Sequence, residues 1–134
     1  MKYGRSVIAA FSFDEAVGAA KTLLEEEGFG VLCDIDVGKT LAEKTGVPFR
    51  GYRILGACNP HFAREALEAE PHVGLLLPCN LVIQKQSGET IVSAVNALAL
   101  LSLVENPNLA VIADEVNESL GRVLDGLARG TAQM

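Results

Sequence analysis

The segment from Val73 to Val95 constrains this chain most. Two apolar stretches flank the tetrapeptide Gln86-Ser87-Gly88-Glu89, a turn sequence. A tight turn between two strand-like runs joins antiparallel neighbours, because parallel ones need a long crossover. The sheet therefore cannot be wholly parallel. A strand is expected over Val73–Gln84, with apolar odd positions Val73, Leu75, Leu77, Cys79, Leu81 and Ile83, and another over Thr90–Val95.

Upstream, Ser6–Phe11 reads as a first strand. Ser12-Phe13-Asp14-Glu15 is a capping box opening a helix to about Glu27, with Phe13, Val17, Ala20 and Leu24 on one stripe. Gly28 suits the position just after it. Val31–Val37 is a second strand. Alternation places Val31, Cys33, Ile35 and Val37 on one face and Leu32, Asp34 and Asp36 on the other. A short helix is expected over Lys39–Lys44 and a third strand over Gly51–Cys58. Asn59-Pro60 combines a favoured N-cap with proline at the first helical position, so a helix follows over about Pro60–Ala69. Asn106-Pro107 repeats that signature. The last helix runs to about Ala128, burying Leu109, Ile112, Val116, Leu120, Val123 and Leu127, and the tail after Gly130 is expected to fray. Ala97–Val104 stays open between a helix and an irregular core segment.

The element order β-α-β-α-β-α-β-β-α describes an α+β fold: a mainly antiparallel twisted sheet of about five strands with helices packed on one face. One domain, residues 1–134, accounts for the length. The other sheet face, expected to hold Leu32, Leu76 and Val82 beside Asp34, Asp36 and Asn80, is too apolar to be fully wet. A homodimer contact is an economical cover.

Net charge −6 and the lack of any Lys/Arg cluster argue against nucleic acid and anionic membranes as partners. The longest apolar stretch, Ile91–Val104, is too short to span a bilayer, and Ser6–Phe13 is too short an apolar run for a signal peptide. A cytoplasmic protein with three reduced cysteines is expected.

Several motifs fail. Gly38-Lys39-Thr40 resembles the end of a phosphate-binding loop, but the required earlier glycine falls on Cys33. Gly28-Phe29-Gly30 precedes a strand instead of following one, so it is no dinucleotide fingerprint. Asp34 and Asp36 share a strand face, which suits acid–base work or a hard cation, against the blander reading of a solvated strand edge.

Two cysteine motifs remain, Gly56-Ala57-Cys58-Asn59-Pro60-His61 and Leu77-Pro78-Cys79-Asn80. Cys33, between Val31 and Ile35, is expected to be a small core residue. Cys58 precedes a helix N-terminus, where the dipole and free N–H groups lower a thiol pKa. His61 lies in the same first turn and is expected neutral, the metal-binding form. Pro78 removes a ladder donor, so the strand there is an edge or bulges. If the third and fourth strands pair, Cys58, His61 and Cys79 form three soft ligands with an open position, a set zinc accepts. A thiol or small-ligand pocket including Asn59 and Asn80 is the second reading, and simple packing and capping the third.

Leu55–Pro60, Ala66–Pro71, Gly74–Asn80 and Glu27–Gly30 with Asp36 together resemble domain-of-unknown-function family number 302. The resemblance runs over nearly the whole chain. It implies a compact α+β domain, typically standing alone in bacteria and archaea and dimeric, with no established activity. The motif positions it carries over are Cys58, Asn59, Pro60, Leu77, Pro78, Cys79 and Asn80. The chain departs from the pattern at Val95-Asn96-Ala97, where the family is expected to place a proline. Two function classes follow. One is a non-catalytic homodimer binding a small ligand or protein partner near Cys58, His61 and Cys79. The other is a thiol- or metal-dependent enzyme with Cys58 as thiolate, His61 as base or ligand and Cys79 as second thiol. A purely structural role is the third.

Overall fold

The computed structural model describes residues 1–130; the expected fraying beyond Gly130 lies outside them. Five strands form one antiparallel sheet in the order β1-β5-β4-β3-β2. They are β1 (Gly4–Ile8), β2 (Gly30–Asp36), β3 (Tyr52–Cys58), β4 (Cys79–Gln86) and β5 (Glu89–Val95). The helices are α1 (Phe13–Glu26), α2 (Val37–Thr45), α3 (Pro60–Ala69), α4 (Ala97–Leu101) and α5 (Pro107–Arg129). The α+β class and the element order are as the sequence predicts.

Local signals explain most helix boundaries. Ser12 and Glu15 form the expected capping box, and Gly28 (φ 85°) follows the end of α1 in the left-handed region. Asn59, Asn96 and Asn106 cap α3, α4 and α5. The Asn96 cap resolves the open segment: Ala97–Leu101 is helical and runs into a 3-10 turn over Ser102–Val104. The β4–β5 hairpin turns through Ser87 (φ 52°) and Gly88 (φ 80°), the two positive values that match the twist of paired strands.

Leu55, Ala57, Leu81, Ile83 and Val92 face α1 and α5 and are sealed with Leu24, Leu109, Leu120, Val123 and Leu127. Helix α1 joins the two edge strands, so it crosses the covered face of the sheet and touches β2 and β4.

Three expectations are corrected. The strand expected over Val73–Gln84 is split: Pro71–Leu76 is a 3-10 helix and β4 starts only at Cys79. Pro71 presets the helical φ, and Leu77 N–H bonds the Gly74 carbonyl. β4 is central, paired with β3 and β5, so Pro78 cannot lie inside it and stands just before its first residue. Leu75, expected inside, is 86% exposed.

The alternation expected in β2 is reversed halfway by a bulge between Val31 and Cys33. Val31 packs on the core, whereas Cys33 is exposed on the helix-free face, opposite Gly56. Asp34 thereby turns toward α1, where Lys21 meets it. The open face therefore carries Val82 and Asn80 as expected, but neither Asp34 nor Leu76, which lies outside the sheet. Finally, β1 covers Gly4–Ile8 instead of Ser6–Phe11, because its partner residues Ile91–Val95 fix where pairing begins.

Candidate functional site

The antiparallel register pairs Ala57 with Cys79, so the two Cys-Asn motifs meet where β3 ends and β4 begins. Cys58 is half-buried, Cys79 is buried, and both line one cavity of about 20 Å³ together with Phe29, Phe62, Leu77 and Leu101. That volume holds roughly one water molecule. It is far too small for an organic substrate, whose pockets span roughly 300–1,000 Å³.

The thiols are not activated. Burial raises the Cys58 pKa against a single opposing hydrogen bond from the Cys79 backbone N–H. Burial pushes Cys79 up to about 11, and the neighbouring Cys58 adds to the shift. The expected lowering at the α3 N-terminus fails for a geometric reason. The first-turn N–H groups of His61 and Phe62 already donate to Asn59 Oδ1, at 3.0 and 3.4 Å. The cap takes the donors a thiolate would have used, and the apolar lining dominates.

His61 is exposed and does not line the cavity. The structure thus joins two of the three soft ligands and leaves the third in solvent. Among the described residues, no group of three or more His, Cys, Asp or Glu side chains is placed to hold a metal ion.

Asp34 is clamped. Arg53 Nε donates to its Oδ1 at 2.7 Å, Arg53 Nη2 bonds its other oxygen, and Lys21 Nζ lies 2.7 Å away. The Arg53 hydrogen bond, helped by Lys21 and opposed by burial, holds the carboxyl at about 2, far too low for a general base near neutral pH. Asp36 instead caps α2, accepting from Lys39 N at 2.9 Å. Asn80 lies on the open face, in a shallow groove of about 190 Å³ that also includes Tyr3, Val82 and Ser93.

Sequence reasoning missed three contributors. Lys21 and Arg53 are ordinary surface residues until strand pairing and the β2 bulge bring Asp34 between them. Gly56 had a legible signal, a glycine inside an apolar strand. A Cβ there would lie 2.6 Å from Cys33 Sγ and 2.8 Å from Pro78 Cγ, so its missing side chain admits both.

Comparison with known proteins agrees with this fold. The sequence profile of the family "Domain of unknown function DUF302" matches residues 5–127. A crystal structure of an uncharacterized conserved protein DUF302 from Bacillus stearothermophilus is similar at a TM-score of 0.88 and 31% sequence identity, covering 93% of this chain and 98% of that one. No curated protein matches. No helix among the described residues is long and apolar enough to cross a membrane.

Proposed function

The chain belongs to the DUF302 family, and from that premise we propose that it is a homodimeric binding module and not a catalyst. The open sheet face carries this reading. Ile8, Ile35, Ile54, Val82 and Ile91 lie on it, with Ile8 57% and Ile35 46% exposed. Between edge strand β1 and β5, Ser6 and Ser93 bond each other at 2.6 Å, which partners the two hydroxyls and leaves one O–H free. None of these positions is charged, in a chain whose net charge is −6. Charge returns at the rim, where Arg50 stacks on Tyr52 and bonds Gln84.

Two copies of such a chain repel each other over most of their surface. An uncharged apolar face is where they meet at the lowest electrostatic cost. Five strands spaced by about 4.8 Å, each five to eight residues long, present a face of roughly 500 Å². Two faces together bury roughly 1,000 Å², the lower bound for a specific interface. A second copy would also roof the groove beside Asn80, whose amide and the Ser93 hydroxyl supply polar handles for a small ligand.

The opposing reading, a thiol-dependent enzyme, has the raised Cys58 and Cys79 pKa values against it, together with the outward-facing His61. Sedimentation velocity tests the dimer. The wild type should sediment as a dimer, and Val82→Glu and Ile35→Lys should sediment as folded monomers with unchanged circular dichroism. A monomeric wild type, or a dimer indifferent to both substitutions, would overturn the proposal.

A further inference from the structure

The paired cysteines support an inference that does not depend on the dimer. Cys58 and Cys79 line the same apolar cavity. The β3–β4 register sets Ala57 opposite Cys79, so Cys58 is one residue from the position that faces it. The cavity's about 20 Å³ admits an object no larger than a water molecule or a bare ion. No third donor stands by: His61 faces solvent, and no three-ligand group exists among the described residues.

We propose that Cys58 and Cys79 together form a two-coordinate site for a soft monovalent cation of the copper(I) class. Thiolates select soft d10 ions, and copper(I) is content with two sulfur donors. Zinc requires four ligands in a structural site and three protein ligands in a catalytic one, so this pair is too poor for it. Binding balances as one cation and two thiols giving a bis-thiolate complex and two protons, with no change of oxidation state. The resulting single negative charge lies at the N-terminal end of α3, whose dipole favours it. Half-buried Cys58 gives the ion its entry, and buried Cys79 holds it away from water.

The same geometry explains why the two thiols are unreactive when empty. The apolar lining disfavours isolated thiolates, and a cation that cancels one of the two charges makes deprotonation favourable there.

The test is an anaerobic titration of the reduced full chain with copper(I) against a chromogenic chelator, followed by X-ray absorption on the loaded protein. One ion per chain, bound by two sulfur atoms and no third heavy donor, is the expected result. Cys58→Ser should weaken binding at least 100-fold, as should Cys79→Ala, while Cys33→Ser leaves it unchanged. The absorption measurement on the wild type stands even if Cys79→Ala fails to fold. Absence of tight copper(I) binding in the wild type, its retention in Cys58→Ser, or its loss in Cys33→Ser would each overturn the assignment.

Discussion

The two faces of the sheet are built from the same strands, one residue out of step, yet they obey different rules. On the covered face Leu55, Ala57, Leu81, Ile83 and Val92 are closed off completely by α1 and α5. On the open face Ile54, Val82 and Ile91 sit beside them, partly exposed, with serines, an asparagine and a cysteine interspersed. The covered face is fixed by volume, because every methylene there has neighbours on all sides. The open face tolerates polarity as long as it carries no charge. The open face is the surface the proposed dimer would use, whereas the covered face is occupied with holding the fold together.

The difference can be broken most strongly from the covered side. Leu81→Ala leaves a cavity at a fully sealed position and should cost about 3 kcal/mol in urea unfolding. Ile8→Ala on the open face should stay within about 0.5 kcal/mol per protomer. Equal losses at the two positions would erase the distinction between the faces.

Gly56 sharpens the comparison, because it is an open-face position that nevertheless obeys close packing. Gly56→Ala drives a methyl group into Cys33 Sγ and Pro78 Cγ and should cost about 1–3 kcal/mol. Adding Cys33→Ala should recover part of that loss. If the double variant is no more stable than the single one, Cys33 is not the obstacle and the open face is looser than described.

A smaller effect is expected at Asn59, which holds the α3 N-terminus and nothing in the cysteine cavity but its wall. Asn59→Ala should lose about 1 kcal/mol. It should also free the His61 and Phe62 N–H groups, so Cys58 should alkylate at a lower pH than in the wild type. An unchanged alkylation profile would mean that burial alone governs that thiol.

The smallest effect belongs to Asp34, whose ion pairs sit near solvent and are screened by salt. Its carboxyl is held at about 2, below its unfolded value of about 3.9. A depressed carboxylate stabilises the fold above the unfolded value and loses that contribution as pH falls through the folded one. Asp34→Asn should therefore trail the wild type in urea midpoint at neutral pH, and the gap should close between about pH 4 and 2. A gap independent of pH would rule out the clamp as its source.

Much of the architecture was legible because its causes are local. The Ser12–Glu15 capping box, the Asn-Pro starts of α3 and α5 and the Ser87-Gly88 turn each involve residues within a turn or two of one another, and they form without a distant partner. The hairpin alone excluded a parallel sheet. The motifs also located where Cys58 and Cys79 approach each other, since adjacency of β3 and β4 was enough to bring them together.

What the sequence could not decide is whatever depends on register. A bulge between Val31 and Cys33 exchanges the faces of everything after it, sending Cys33 to the open side and Asp34 to Lys21 and Arg53. The pairing of β4 on both edges, not the apolar run itself, placed its start after Pro78. Packing of Cys58 against Phe29, Leu101 and Val116 in the apolar cavity, and not the helix N-terminus beside it, decided its environment. In each case the deciding interaction joins residues far apart in the chain. A one-residue shift between strands changes which side chains meet while leaving the local pattern of either strand untouched.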